Sequence, residues 1–353
     1  MSTSRRFYRC MSALAACGVY LTFTAGAHAD TTAADGAVGT NIQWEQHTQP
    51  CWYIEIQREG AQNIEDGIAA KSAKKIQQGI SAIDWGFAKQ SGDGSFPGTG
   101  NGTDGEPFHS ASLFIESAAR GVLALQAYDP KTYGAWIKAT TPHIQTGALW
   151  LMSPAAYVAG QKYNAPYTHR RYILAAALLE AGLVTNNTQI AKASLPYLSD
   201  GLSRQLPSGW TAAVLPVKNG KYPPAVLVAP KTALPLGTIG TLPAGGVNVE
   251  ANGFDVNYQV VGLVFAEYYV RVCQDASIRQ QMLTMIANGL AFESELIDKS
   301  GNVTAIGSSR IDQEVDLTGN VKVLSTGQIV KAFQLAYNLT GNPTYKVYAG
   351  LIK

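Results

Sequence analysis

Residues 253–269 read Gly-Phe-Asp-Val-Asn-Tyr-Gln-Val-Val-Gly-Leu-Val-Phe-Ala-Glu-Tyr-Tyr, a helix-forming run that is apolar nearly all round. Such a helix offers no face to water and is buried on most sides, so other elements must surround it. Apolar residues recur at three- and four-residue spacing over much of the rest. That spacing predicts helices over residues 63–89, 109–127, 130–152, 168–183, 187–205, 255–272, 277–297, 326–339 and 343–352. Turn residues separate them, as in Tyr128-Asp129-Pro130 and Thr340-Gly341-Asn342-Pro343. Residues 209–253 are the exception, because prolines and glycines alternate there with short apolar runs and no helical period. A long loop or a pair of hairpins is expected, and a loop of that length in a compact domain reads as a lid or cleft wall.

A string of antiparallel helices, some apolar all round and others amphipathic, suits a two-layered helical ring whose inner layer touches core on both sides. The expected fold is therefore all-α, an α/α toroid formed as one domain by residues 30–353, with 209–253 as an irregular or hairpin insertion. A hydrophobic content of 46% is ample for its core.

Residues 1–29 read as a secretory signal peptide: Arg5, Arg6 and Arg9 lead, an apolar stretch follows, and Ala27-His28-Ala29 is a small-x-small cleavage site. The expected location is the periplasm or the exterior, with no membrane span. Without those arginines the chain has 24 basic and 25 acidic residues, a net charge near −1 that does not suit a nucleic-acid binder. Cys51 and Cys273 are then the remaining cysteines, either a disulfide permitted by an oxidising compartment or two buried thiols. His47, His109, His143 and His169 are scattered without metal-ligand spacing, so neither a metal nor another cofactor is expected. Nucleotide-binding fingerprints and a Gly-x-Ser-x-Gly elbow are absent as well.

The run Tyr163-Asn-Ala-Pro-Tyr-Thr-His-Arg-Arg-Tyr172 places His169, Arg170 and Arg171 in the first turn of a helix. That end carries partial positive charge, so three basic groups there call for an anion opposite them, either a substrate carboxylate or acidic residues from elsewhere. Tyr258, beside Asn257 and Gln259, opens the 255–272 helix directly after the long loop, and Asp255 is its natural N-cap.

The stretch Trp85-Gly-Phe-Ala-Lys-Gln-x-x-Asp93-Gly-Ser-Phe96, followed by a Gly-rich loop and a His-bearing helix, resembles the repeat of α/α-barrel carbohydrate enzymes. Over residues 85–338 the pattern looks like the α/α-toroid polysaccharide lyases that cleave alginate and related polyuronates. The resemblance implies β-elimination on an anionic polysaccharide, with Tyr258 as proton donor and His169 as its acid–base partner. It also implies a carboxylate-neutralising group, for which Arg170, His109 and Asn257 are the candidates, with Gln259 and Asn164 as further substrate-binding residues; Arg310 either clamps a further sugar carboxylate or pairs with Asp312 or Glu314. Two departures stand out: Asn164 lies five residues from His169, and no Arg lies shortly upstream of Tyr258. The rival is an α/α-barrel glycoside hydrolase, whose two carboxylates would be Glu116 with Asp255 or Asp104. A non-catalytic glycan-binding protein is a third reading. Trp85, Phe87, Trp150 and Trp210 could stack on sugars under all three.

Overall fold

The computed structural model of the protein describes residues 36–38, 54–96, 106–251, 253–314 and 321–353. The signal segment, Cys51 and Asp104 lie outside the described residues. Ten principal helices form five hairpins: α1 (Glu59–Ala69) with α2 (Ala73–Phe87), α3 (Glu106–Tyr128) with α4 (Pro130–Leu151), α5 (Thr168–Val184) with α6 (Thr188–Ser203), α7 (Val256–Val272) with α8 (Ala276–Glu295), and α9 (Thr326–Thr340) with α10 (Pro343–Leu351). Local capping explains many of the starts. Ser72, Asp129, Asn187, Asp255, Asp275 and Asn342 each accept a backbone N–H from the first turn of the helix that follows.

The odd-numbered helices form the inner layer. α1 packs on α3, α3 on α5, α5 on α7 and α7 on α9. The ring closes through polar contacts, Lys331 Nζ of α9 to Gln62 Oε1 of α1 at 2.7 Å and Arg271 of α7 to Glu65 of α1 at 2.7 Å. The chain is thus an α/α toroid, as the alternation of apolar and amphipathic helices predicts. α7 is the helix that is apolar nearly all round, and 13 of its 17 residues are buried.

The inner helices run parallel. His109, His169 and Tyr258, early in α3, α5 and α7, meet at one mouth of the ring, and Glu65, Arg120 and Arg271 meet towards the other. Glycine allows the close approach on which the first mouth depends. A Cβ at Gly262 of α7 would lie 3.3 Å from Cα and Cβ of His169 on α5. Two apolar clusters fill the molecule, one around α1–α4 and one around α7–α10, and α5 supplies side chains to both: Leu174, Leu178 and Ala181 to the first, Ile173, Ala175 and Ala176 to the second.

Residues 209–253 carry a three-stranded antiparallel sheet of β1 (Thr211–Val214), β2 (Val226–Val228) and β3 (Gly240–Pro243), in the order β2-β1-β3. The single helix expected over 63–89 is two. Lys71 adopts a left-handed φ of 52°, and Ser72 caps the new helix by accepting the Lys75 N–H at 3.3 Å. Cys273 is a buried free thiol. No helix among the described residues is long and apolar enough to cross a membrane.

At the second mouth Arg120 is the hub. Its Nε donates to Glu116 at 2.7 Å, its Nη1 to Glu65, and its guanidinium lies 4.0 Å from the Tyr268 ring centre. Burial alone would push the Glu65 carboxyl up, yet Arg120 and Arg271 hold it at about 2. Glu267 of α7 has less help: neither of its buried oxygens has a hydrogen-bond partner among the described residues, and burial, offset only in part by Lys331 and Arg271, raises its carboxyl well above the ordinary 4.5. The folded protein therefore keeps a proton that the unfolded chain releases, and Glu267 destabilises the fold as pH rises through and beyond 4.5. For Glu267→Gln, melting curves should match the parent at pH 4 and lie above it at pH 8. Parallel curves at both values would contradict this account.

Candidate functional site

The first mouth is built around the start of α5. Tyr167 precedes the helix in extended conformation (φ −97°, ψ 120°) and gives it no side-chain cap. Glu250 does so from 81 residues away: one carboxylate oxygen accepts the His169 backbone N–H at 3.0 Å and the other meets His169 Nδ1 at 2.8 Å. The backbone around Glu250 runs antiparallel to Tyr167, and Ala251 N–H donates to the Pro166 carbonyl at 3.0 Å. The end of the long insertion is thereby sewn onto the first turn of α5. Burial pushes the Glu250 carboxyl up and the His169 imidazole down, the latter aided by Arg170, His109, Lys322 and Arg310. Both shifts oppose an imidazolium–carboxylate pair, so the contact is a hydrogen bond that fixes the ring through Nδ1 and leaves Nε2 for other chemistry.

Tyr258 stacks on this imidazole, with ring centroids 4.2 Å apart and planes at 25°. Tyr167 stands edge-on to both rings, 5.8 Å from His169 and 5.9 Å from Tyr258. His109 of α3 closes the group 6.4 Å from His169, and burial with the Arg170 charge keeps its imidazole neutral at ordinary pH. The Tyr258 hydroxyl is pushed well above its usual 10, first by burial and then by Glu314, so it retains its proton.

Three cations ring these aromatics. Lys322 Nζ lies 3.9 Å from the Tyr258 ring centre, and the Arg170 and Arg310 guanidinium carbons lie 4.8 and 5.5 Å from that of Tyr167. Arg310 also donates to the Tyr167 hydroxyl. Glu314 pairs with Arg310 at 3.1 Å and with Lys322 at 3.3 Å. Arg170 donates to Asn164 Oδ1, while its Nε is buried with no hydrogen-bond partner among the described residues. Asn164 is held in turn by donating to the Gly160 carbonyl at 2.7 Å, where the backbone takes a φ of 142°. One turn of chain that only glycine makes readily thus sets the Arg170 head group.

Six residues singled out in the sequence, Tyr258, His169, His109, Arg170, Asn164 and Arg310, come together here. Asn257 and Gln259 sit behind the mouth and join chain segments. Asn257 donates to the Val323 carbonyl at 2.9 Å and accepts the Ser325 N–H at 2.8 Å; Gln259, fully buried, accepts the Asn248 N–H at 2.8 Å and donates to the Gly246 carbonyl at 3.1 Å. Glu116 is buried in the Arg120 network, and Asp255 is buried as the α7 cap with Ser308 donating to it at 2.7 Å. These two carboxylates do not flank a common cleft. Phe87 and Trp150 are core side chains. Glu250, Tyr167 and Lys322 complete the site and were not singled out, and Glu314 joins it as the ion-pair partner of Arg310. Only Tyr167 had a local signal, as part of the Tyr163–Tyr172 run.

No family model matches the chain, and no curated protein does. Among solved structures it is similar to an inactive variant of the α-1,6-mannanase GH76A of Salegentibacter sp. HEL1_6 in complex with α-1,6-mannotriose, at 15% identity and a TM-score of 0.43, covering 84% of this chain and 68% of that one. That protein is a glycoside hydrolase, and the expectation of an alginate or polyuronate lyase acting by β-elimination is corrected accordingly. At this identity and score the likeness transfers no substrate, residue role or mechanism to the present chain.

Proposed function

We propose that the protein is an exported glycan hydrolase that binds an acidic saccharide at the Tyr258 mouth. The observation that carries this reading is the convergence of Arg170, Arg310 and Lys322 on a stacked His169–Tyr258 pair. Cations held in a half-buried aromatic pocket favour an anionic group on the ligand, and the rings give a sugar surfaces to lie on.

Hydrolysis requires one group to take a proton from water and another to give one to the leaving oxygen. His169, with Nδ1–H donating to Glu250, presents a neutral Nε2 that takes the proton of the attacking water. Tyr258, still a phenol at neutral pH, donates its proton to the glycosidic oxygen. Water oxygen bonds to the anomeric carbon as the carbon–oxygen bond to the leaving sugar breaks. Proton transfer from the imidazolium back to the phenolate, directly or through water, restores both groups. Glu250 is a positioning residue for His169.

The test is incubation with acidic and neutral glycans, following reducing ends and near-ultraviolet absorbance together. Reducing ends from an acidic glycan without a new chromophore are expected. Release from neutral glycans alone would overturn the anionic ligand, and an unsaturated, absorbing product would overturn hydrolysis. Export has its own test: N-terminal sequencing of the secreted protein should begin at Asp30, and a chain retaining Met1 would sink it.

A further inference from the structure

A second group of cations lies on the flank between α5 and α6, apart from the residues of the mouth. Arg171 is only 4% exposed, and its Nε and Nη2 have no hydrogen-bond partner among the described residues. Its guanidinium carbon is 5.5 Å from the Tyr197 ring centre, and the Tyr197 hydroxyl accepts from Gln161. The second cation is Arg204, whose charge bears on Arg171 and, after burial itself, lowers the affinity of Arg171 for its proton. The one carboxylate beside them among the described residues is already engaged: Asp200 accepts from Arg204 Nε at 3.0 Å and Nη2 at 2.7 Å. The third Arg204 nitrogen, Nη1, donates to the Ala165 carbonyl at 2.6 Å. Arg204 also lines a cavity of about 450 Å³ with Pro166, Ser203, Leu206, Val249 and Ala251. Two guanidinium groups beside one carboxylate leave an excess positive charge, and Arg171 carries its share almost shut off from water, where a guanidinium without a hydrogen-bonded counter-charge is strongly unfavourable.

We infer that Arg171 and Arg204 form a binding site for a compact oxyanion, a sulfate or phosphate group, which supplies the acceptors that the buried Arg171 lacks. Such an anion fits a bidentate guanidinium contact. The oxyanion is either free or carried on a sugar. The site shares no residue with the cations of the mouth and does not depend on the hydrolase reading.

The full chain carrying Arg310→Gln, which weakens the mouth as an anion site, is titrated with inorganic sulfate at constant ionic strength while the melting temperature is followed. A saturable rise of about 3 °C is expected. Adding Arg171→Met should abolish the rise and, in sulfate-free buffer, leave the melting point equal or higher, because an unpaired buried cation has been removed. Glucose 6-sulfate as a parallel titrant separates the sources: an equal response to both marks a free oxyanion, and saturation at much lower glucose 6-sulfate marks a sugar-borne one. A sulfate response that persists undiminished with Arg171→Met, or none in the parent, overturns the site. Crystals of the unaltered protein soaked in selenate give a check that needs no variant: an anomalous peak within hydrogen-bonding reach of Arg171 is expected, and an empty position there overturns the proposal.

Discussion

Tyr258→Phe should lower turnover by about 100-fold or more, the scale associated with losing a general acid, while leaving the fold nearly intact. The substitution preserves the ring that stacks on His169 at 4.2 Å and that Lys322 approaches at 3.9 Å, and it removes only the hydroxyl. The loss should fall in kcat with KM little changed, because the anionic group is held by Arg170, Arg310 and Lys322. Steady-state kinetics alongside a melting curve decide the matter. Near-normal turnover with a lowered melting temperature would mean that the hydroxyl serves packing and that Tyr258 is not the acid. Under the same scheme Arg310→Gln raises KM more than it lowers kcat, which distinguishes holding the substrate from moving its protons.

The second large effect concerns stability at the opposite mouth. Arg120→Leu should destabilise the fold by about 3–5 kcal/mol, the usual penalty for breaking a buried ion pair from one side. The Arg120 side chain is 6% exposed and that of Glu116 1%, so the carboxylate left behind is shut off from water. Adding Glu116→Leu to Arg120→Leu should recover much of the loss, since the stranded charge is then removed as well. Urea unfolding of the two variants measures this directly. A loss below about 1 kcal/mol for Arg120→Leu would show that the network is solvated and that its charges are worth no more than a surface pair.

Legibility from sequence followed the range of the interactions. The inner and outer helices were readable because burial imposes a 3.6-residue period, and the caps Asp255 and Asn342 act within three residues of themselves. The α1–α2 boundary escaped because apolar spacing continues across Lys71 and Ser72 although the backbone turns there. At the site, the basic residues at the start of α5 marked a helix end in need of negative charge, which was the useful signal. The residue that caps that end, Glu250, lies in a stretch with no periodicity and reaches His169 across 81 positions. Lys322 is likewise brought to Tyr258 by tertiary packing and has no neighbour in sequence that points to it. Reaction class was the least legible feature: a neutral imidazole beside a phenol can serve more than one kind of bond cleavage.

The way the ring is fastened bears on how it can move. Among the described residues no apolar cluster spans the join between α9 and α1, where Lys331 meets Gln62, and Arg271 of α7 meets Glu65 nearby. Diametrically, α5 is rooted in both cores at once. Parting the joints on either side of α5 would strip hydrocarbon from its partners, whereas parting α9 from α1 uncovers amide and charged groups that water can solvate. The toroid is mechanically a bracelet, with α5 as its hinge and a wettable clasp on the far side, and the bore of the mouth can change at that clasp while both cores stay packed.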